Sequence, residues 1–175
     1  MEDELKRQMG DIAVDQNPAM LDALTATVFE LDLWKDALPL FACMSPATQF
    51  KLINVAAMSR PEVLEAVVVN TDIYSLWGTL LPLVEYMSAH QRQLIGDIVA
   101  TRGESFVRTV VDAASEEQLW APLLDVIRYM SESARETTLP MMHRYLQASP
   151  ELAARVRALA AERDLEELLD RVMSA

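Results

Sequence analysis

Residues 77–88 read WGTLLPLVEYMS. The stretch WKDALPLFACMS stands 43 residues earlier, at 34–45, and WAPLLDVIRYMS stands 43 residues later, at 120–131. Trp34, Trp77 and Trp120 therefore mark one position in three copies. Leu38, Leu81 and Leu124 share a second position, and Leu40, Leu83 and Val126 a third. The pair Met44-Ser45 returns as Met87-Ser88 and Met130-Ser131. Beyond the stretch, Val55, Ile98 and Met141 align, as do Val67, Val110 and Ala153. Self-similarity at one fixed period is the signature of stacked structural repeats.

The register extends in both directions. Residues 18–24, Pro-Ala-Met-Leu-Asp-Ala-Leu, lie one period before Pro61-Glu-Val-Leu-Glu-Ala-Val67, so the N-terminus reads as the tail of an incomplete copy. The same signature returns at Pro150-Glu-Leu-Ala-Ala-Arg-Val156, about three residues late, so the last copy carries a short insertion. The predicted units are 1–33 (partial), 34–76, 77–119 and 120–175, within one domain spanning 1–175.

Each unit predicts three helices. The first covers roughly 30–44, 73–87 and 116–130, with Trp77, Leu81, Val84 and Met87 on one face. Pro39, Pro82 and Pro122 interrupt it, which predicts a kink or a late helix start. The second helix covers about 46–58, 89–101 and 134–147. Ser45-Pro46 supplies a cap followed by a first-turn proline, and Ser88-Ala-His-Gln91 and Ser133-Ala-Arg-Glu136 fit the capping box. The third helix covers about 61–70, 104–114 and 150–161. It begins after Gly103 in the middle copy and after the Ser149 cap in the last, and Ser115-Glu-Glu-Gln118 is expected to cap the helix that follows it. A closing helix near 164–173 sets Leu165, Leu168, Leu169 and Val172 against Glu166, Glu167, Asp170 and Arg171, as a capping helix with one wet face does.

Composition agrees with this pattern. Hydrophobic residues make up 51% of 175 positions and only 4 are Gly, which favours a helical globular chain. The net charge of -12 is uneven. Residues 1–76 carry 5 basic and 12 acidic side chains, residues 77–119 carry 3 and 6, and residues 120–175 carry 7 and 9. Such a surface repels phosphate backbones and anionic lipid, so neither nucleic-acid binding nor direct membrane insertion is expected. The single cysteine, Cys43, excludes an intrachain disulfide and fits a cytoplasmic setting.

The fold expected is all-α: a right-handed helical-repeat array, or α-solenoid, of about three 43-residue three-helix units. An N-terminal partial unit and a C-terminal capping helix complete it. In period and helix count the chain resembles the HEAT and armadillo proteins, and three helices per unit is closer to armadillo. The resemblance covers most of the chain, although the motif residues of neither family are evident. It implies an extended recognition surface.

Candidate chemistry is sparse. His90 and His143 stand apart, with no His-x-x-x-His or Glu-x-x-His spacing, so no metal site is assembled. No Gly-x-Ser-x-Gly occurs, the glycines are scattered singly, and the repeated serines read as caps. No catalytic set and no cofactor site can be built. Repeat-matched apolar positions serve stacking, which leaves the unmatched polar and aromatic ones freer to bind. By that test Tyr86, Tyr129, His143, Arg144 and Tyr145 form the candidate binding surface.

The leading functional expectation is a non-enzymatic module that binds a protein or peptide, with the acidic first half favouring a basic segment. The alternative is a small-molecule or acyl-chain binder with a cavity between helices, as in an effector-sensing domain. Self-association through an uncapped repeat end is compatible with either.

Overall fold

The described positions of this computed structural model are residues 18–45, 47–49, 51–52 and 61–174. They fold as helices joined by short turns, with no strand among them. The helices are α1 (Pro18–Glu30), α2 (Trp34–Cys43), α3 (Pro61–Ile73) and α4 (Trp77–Leu83). A 3-10 turn follows at Val84–Tyr86. Then come α5 (Ala89–Thr101), α6 (Glu104–Glu116), α7 (Trp120–Tyr129), α8 (Glu132–Gln147), α9 (Pro150–Glu162) and α10 (Glu166–Ser174). The expected helix over 46–58 lies largely outside the described residues. The chain forms two compact units, Met1–Ser88 and Ala89–Ala175.

One backbone device sets the helix starts. Asp32, Ser75, Gln118 and Asp164 all have positive φ, between 53° and 61°, and follow one another at 43, 43 and 46 residues. After each, the next amide reaches back five residues: Leu33 to Val28, Leu76 to Thr71, Leu119 to Ala114 and Leu165 to Ala160, at 2.7–2.9 Å. This is the Schellman closure, in which a left-handed residue ends a helix and satisfies its orphan carbonyls. It corrects the predicted limits. The first helix of each copy begins at the tryptophan, because the preceding helix runs on to Glu30, Ile73 and Glu116. Ser115 thus lies inside α6, and Gln118 is the left-handed closing residue rather than part of a cap.

Two of the expected serine caps, Ser45 and Ser149, are formed, and a third is displaced. Ser45 Oγ accepts from the Thr48 amide at 3.4 Å, and Ser149 Oγ from that of Leu152 at 3.4 Å with Pro150 opening α9. In the last copy the cap is Ser131, which accepts from Ala134 at 3.3 Å, and Ser133 lies within the helix. Ser131 keeps the register of Ser45 and Ser88, so that the local Ser-x-x-Glu pattern loses to the repeat. The insertion also has a place: α8 has 16 residues where α5 has 13.

In the first unit Trp34, Ala37 and Leu38 pack with Val28 and Val63. In the second, α5 and α9 both pack on α7, and α8 packs against α5, α6 and α10. Asp125 of α7 joins Arg92 of α5 at 4.0 Å and Arg163, at the end of α9, at 3.6 Å. Asp97 of α5 accepts from the Ser131 amide at 2.8 Å. All three tryptophans are buried.

Candidate functional site

The five candidate residues separate. Tyr86 closes the 3-10 turn of the first unit and is half-buried. Tyr129 ends α7, with the guanidinium carbons of Arg92 and Arg128 lying 5.4 and 5.8 Å from its ring centroid. Those distances are within cation–π range. His143 turns toward α10: its Nδ1 lies 2.9 Å from the Val172 carbonyl. A carbonyl only accepts, so Nδ1 carries the proton, and Nε2 is left to accept from the Gln147 amide beside it. His143 therefore ties α8 to α10.

Arg144 and Tyr145 come together in one cleft between α6 and α8, of about 290 Å3. Val107, Val111 and Met141 give it an apolar floor, and Glu104, Arg108 and Arg144 form its rim. Glu104 bridges both guanidinium groups, 3.4 Å from Arg144 and 3.7 Å from Arg108. These side chains are more than half exposed, so the pairs contribute little and can exchange for a ligand's charges at low cost. A second recess of about 430 Å3 shares Tyr145 and Ala148 and continues to Ser115, Glu151 and Arg155.

Tyr145 is the polar pivot of this region. Burial raises its phenol pKa above the ordinary value, and a hydrogen bond to Asp112 adds to the rise while one to Ser115 opposes it. Its ring lies 6.3 Å from that of Trp120, tilted by 49°. The unmatched-residue test found the α8 side of the cleft and missed Glu104, Arg108 and Asp112 on α6. Their signal was a polar row at spacing four, which also describes an ordinary wet helix face.

Other chemistry does not converge. Among the described residues no group of three His, Cys, Asp or Glu could hold a metal ion, and no helix is long and apolar enough to cross a membrane. Cys43 is a half-buried free thiol. In the first unit an apolar cavity of about 50 Å3 lies among Val28, Trp34, Leu38, Leu52 and Leu83. Comparisons with protein-family models, with curated proteins and with solved structures find no match.

Proposed function

We propose that the chain is a non-enzymatic helical-repeat module of α-solenoid type, HEAT- or armadillo-like, that binds a protein or peptide. The observation that carries this reading is the α6–α8 cleft. It gathers Arg144 and Tyr145, two residues that the repeat register leaves free, over an apolar floor with charged walls. A groove between parallel rows of side chains suits an extended or helical segment, with apolar anchors below and charges at the rim. The left-handed caps, spaced 43, 43 and 46 residues apart, support a repeat reading of the chain. A single cysteine and the absence of any membrane-crossing helix among the described residues are in keeping with a cytoplasmic setting.

The test is site-specific photo-crosslinking from Ala148, an exposed residue on the cleft, in lysate of the source cells. A discrete adduct that disappears on Arg144→Glu supports the reading. A chain that stays monodisperse and forms no adduct from Ala148 overturns it. Lipid or metabolite co-purifying with the chain would instead favour the small-molecule reading.

A further inference from the structure

We propose that the outer side of α2, with the adjoining end of α1, is a docking face for a basic amphipathic helix of a partner protein. This shares the reading of the chain as a partner-binding repeat but stands on a surface other than the cleft.

Equivalent positions of a repeat are expected to meet equivalent surroundings. The tryptophans obey this and are buried in all three copies. The stripe of Leu33, Asp36 and Leu40, spaced three and four along α2, does not. Leu40 is 43% exposed, whereas its counterparts Leu83 and Val126 are 5% and 2% exposed. Leu33 is exposed while Leu76 and Leu119 are half-buried, and Leu24 is exposed while Val67 is half-buried and Val110 buried. The large apolar side chains found exposed among the described residues, Leu24, Leu31, Leu33, Leu40 and Ile73, all belong to the first unit.

The helix α10 is finished differently. It buries Leu168, Leu169 and Val172 and exposes Glu166, Glu167 and Asp170. The face of α2 instead leaves Leu33 and Leu40 exposed beside Lys35 and Asp36, and exposed apolar positions whose repeat counterparts are covered mark an interaction surface.

Charge selects the occupant. Glu30, Asp32 and Asp36 are exposed beside Leu31, Leu33 and Leu40, against one basic residue, Lys35. A second copy is disfavoured in either arrangement. Pairing α2 with α2 sets these acids against themselves, and pairing it with α10 brings Glu166, Glu167 and Asp170 to them. A helix with an apolar stripe flanked by Lys or Arg fills the leucine row and neutralises the rim.

Fluorescence anisotropy on the full chain tests this with three labelled synthetic peptides. One is an amphipathic helix of Leu and Lys, one replaces each Lys by Glu, and one scrambles the Leu/Lys order so that no apolar face forms. The ordered Leu/Lys helix is expected to bind and the other two to bind weakly or not at all. Leu40→Lys and Asp36→Lys each weaken that binding by about tenfold or more. Both sites are exposed, and circular dichroism confirms that each variant folds. A chain that binds the ordered helix but gives no Ala148 adduct retains this face without the cleft, so failure of the cleft reading is distinguishable from failure here. The proposal is overturned if no peptide binds, if the scrambled peptide binds equally, or if both α2 variants retain wild-type affinity. A dimer in light scattering that Leu40→Lys dissolves would overturn it in favour of a second copy.

Discussion

The indole Nε1 of Trp77 donates to Asp72 Oδ1 at 3.0 Å, bridging the turn between α3 and α4. The equivalent indole nitrogen of Trp120 is buried without a hydrogen-bond partner. The residue five before the tryptophan differs between the copies: Asp72 in one and Ser115 in the next. Asp72 sits in the last turn of α3, where the helix dipole disfavours a carboxylate, so its bond outweighs a local cost. Asp72→Ala should therefore cost about 1 kcal/mol. Trp77→Phe should cost about 1 kcal/mol more than Trp120→Phe, because only the former loses a bond. Urea denaturation of the three variants measures both differences.

The left-handed caps make a prediction of opposite sign. Left-handed backbone is strained for residues with a Cβ and free for glycine. Gln118 at φ 61° and Ser75 at φ 55° carry that strain, while Asp32 and Asp164 tolerate the region better. Gln118→Gly and Ser75→Gly should each stabilise the chain by about 0.5–1 kcal/mol, and Gln118→Val should destabilise it by a similar amount. Thermal unfolding gives the order Gly above wild type above Val, and equal melting temperatures for the three would refute the strain.

These caps also show what the sequence could and could not disclose. The tryptophan register was legible because packing demands the same bulky side chain in every copy. The caps share that register but were silent, because Asp32, Ser75, Gln118 and Asp164 have only their backbone conformation in common. Ser133-Ala-Arg-Glu136 looked like a helix start because capping motifs are short. The true cap, Ser131, is secured by Asp97 reaching its amide from α5, a contact between residues far apart in the chain. The cleft was half visible for a similar reason. Arg144 and Tyr145 stood out by failing to match their counterparts, whereas Glu104, Arg108 and Asp112 matter only through the way α6 faces α8.

Close packing of α5 on α7 gives a third prediction. A Cβ built on Gly96 would overlap Met130 Cγ and lie 3.2 Å from Val126 Cγ1. Met130 is buried, and the blocked atom is near the root of its side chain. Alanine would improve helix propensity by about 1 kcal/mol but must displace that side chain. We expect Gly96→Ala to be destabilising by about 1–2 kcal/mol net, and Gly96→Val by more. In a double-mutant cycle Met130→Ala should relieve part of the penalty, so the two changes together cost less than their sum. Additive costs would show that the two residues do not crowd each other.

Tyr145 links the cleft to alkaline stability. Burial, reinforced by Asp112, raises its phenol pKa above the ordinary value of 10.0. The folded chain therefore holds this proton more tightly than the unfolded chain does. The resulting stabilisation is complete below the unfolded value, about pH 10, and is lost as pH rises through the folded value. Stability measured by urea denaturation should fall on raising the pH past about 10. Tyr145→Phe removes the titrating group, so its profile should fall less steeply there. The ring contact with Trp120 supplies a local probe: indole fluorescence should change with the phenol as it ionises in the folded wild type, and should stay constant over that range in Tyr145→Phe. An unchanged alkaline slope in Tyr145→Phe would place the titrating group elsewhere and free the cleft wall from any role in it.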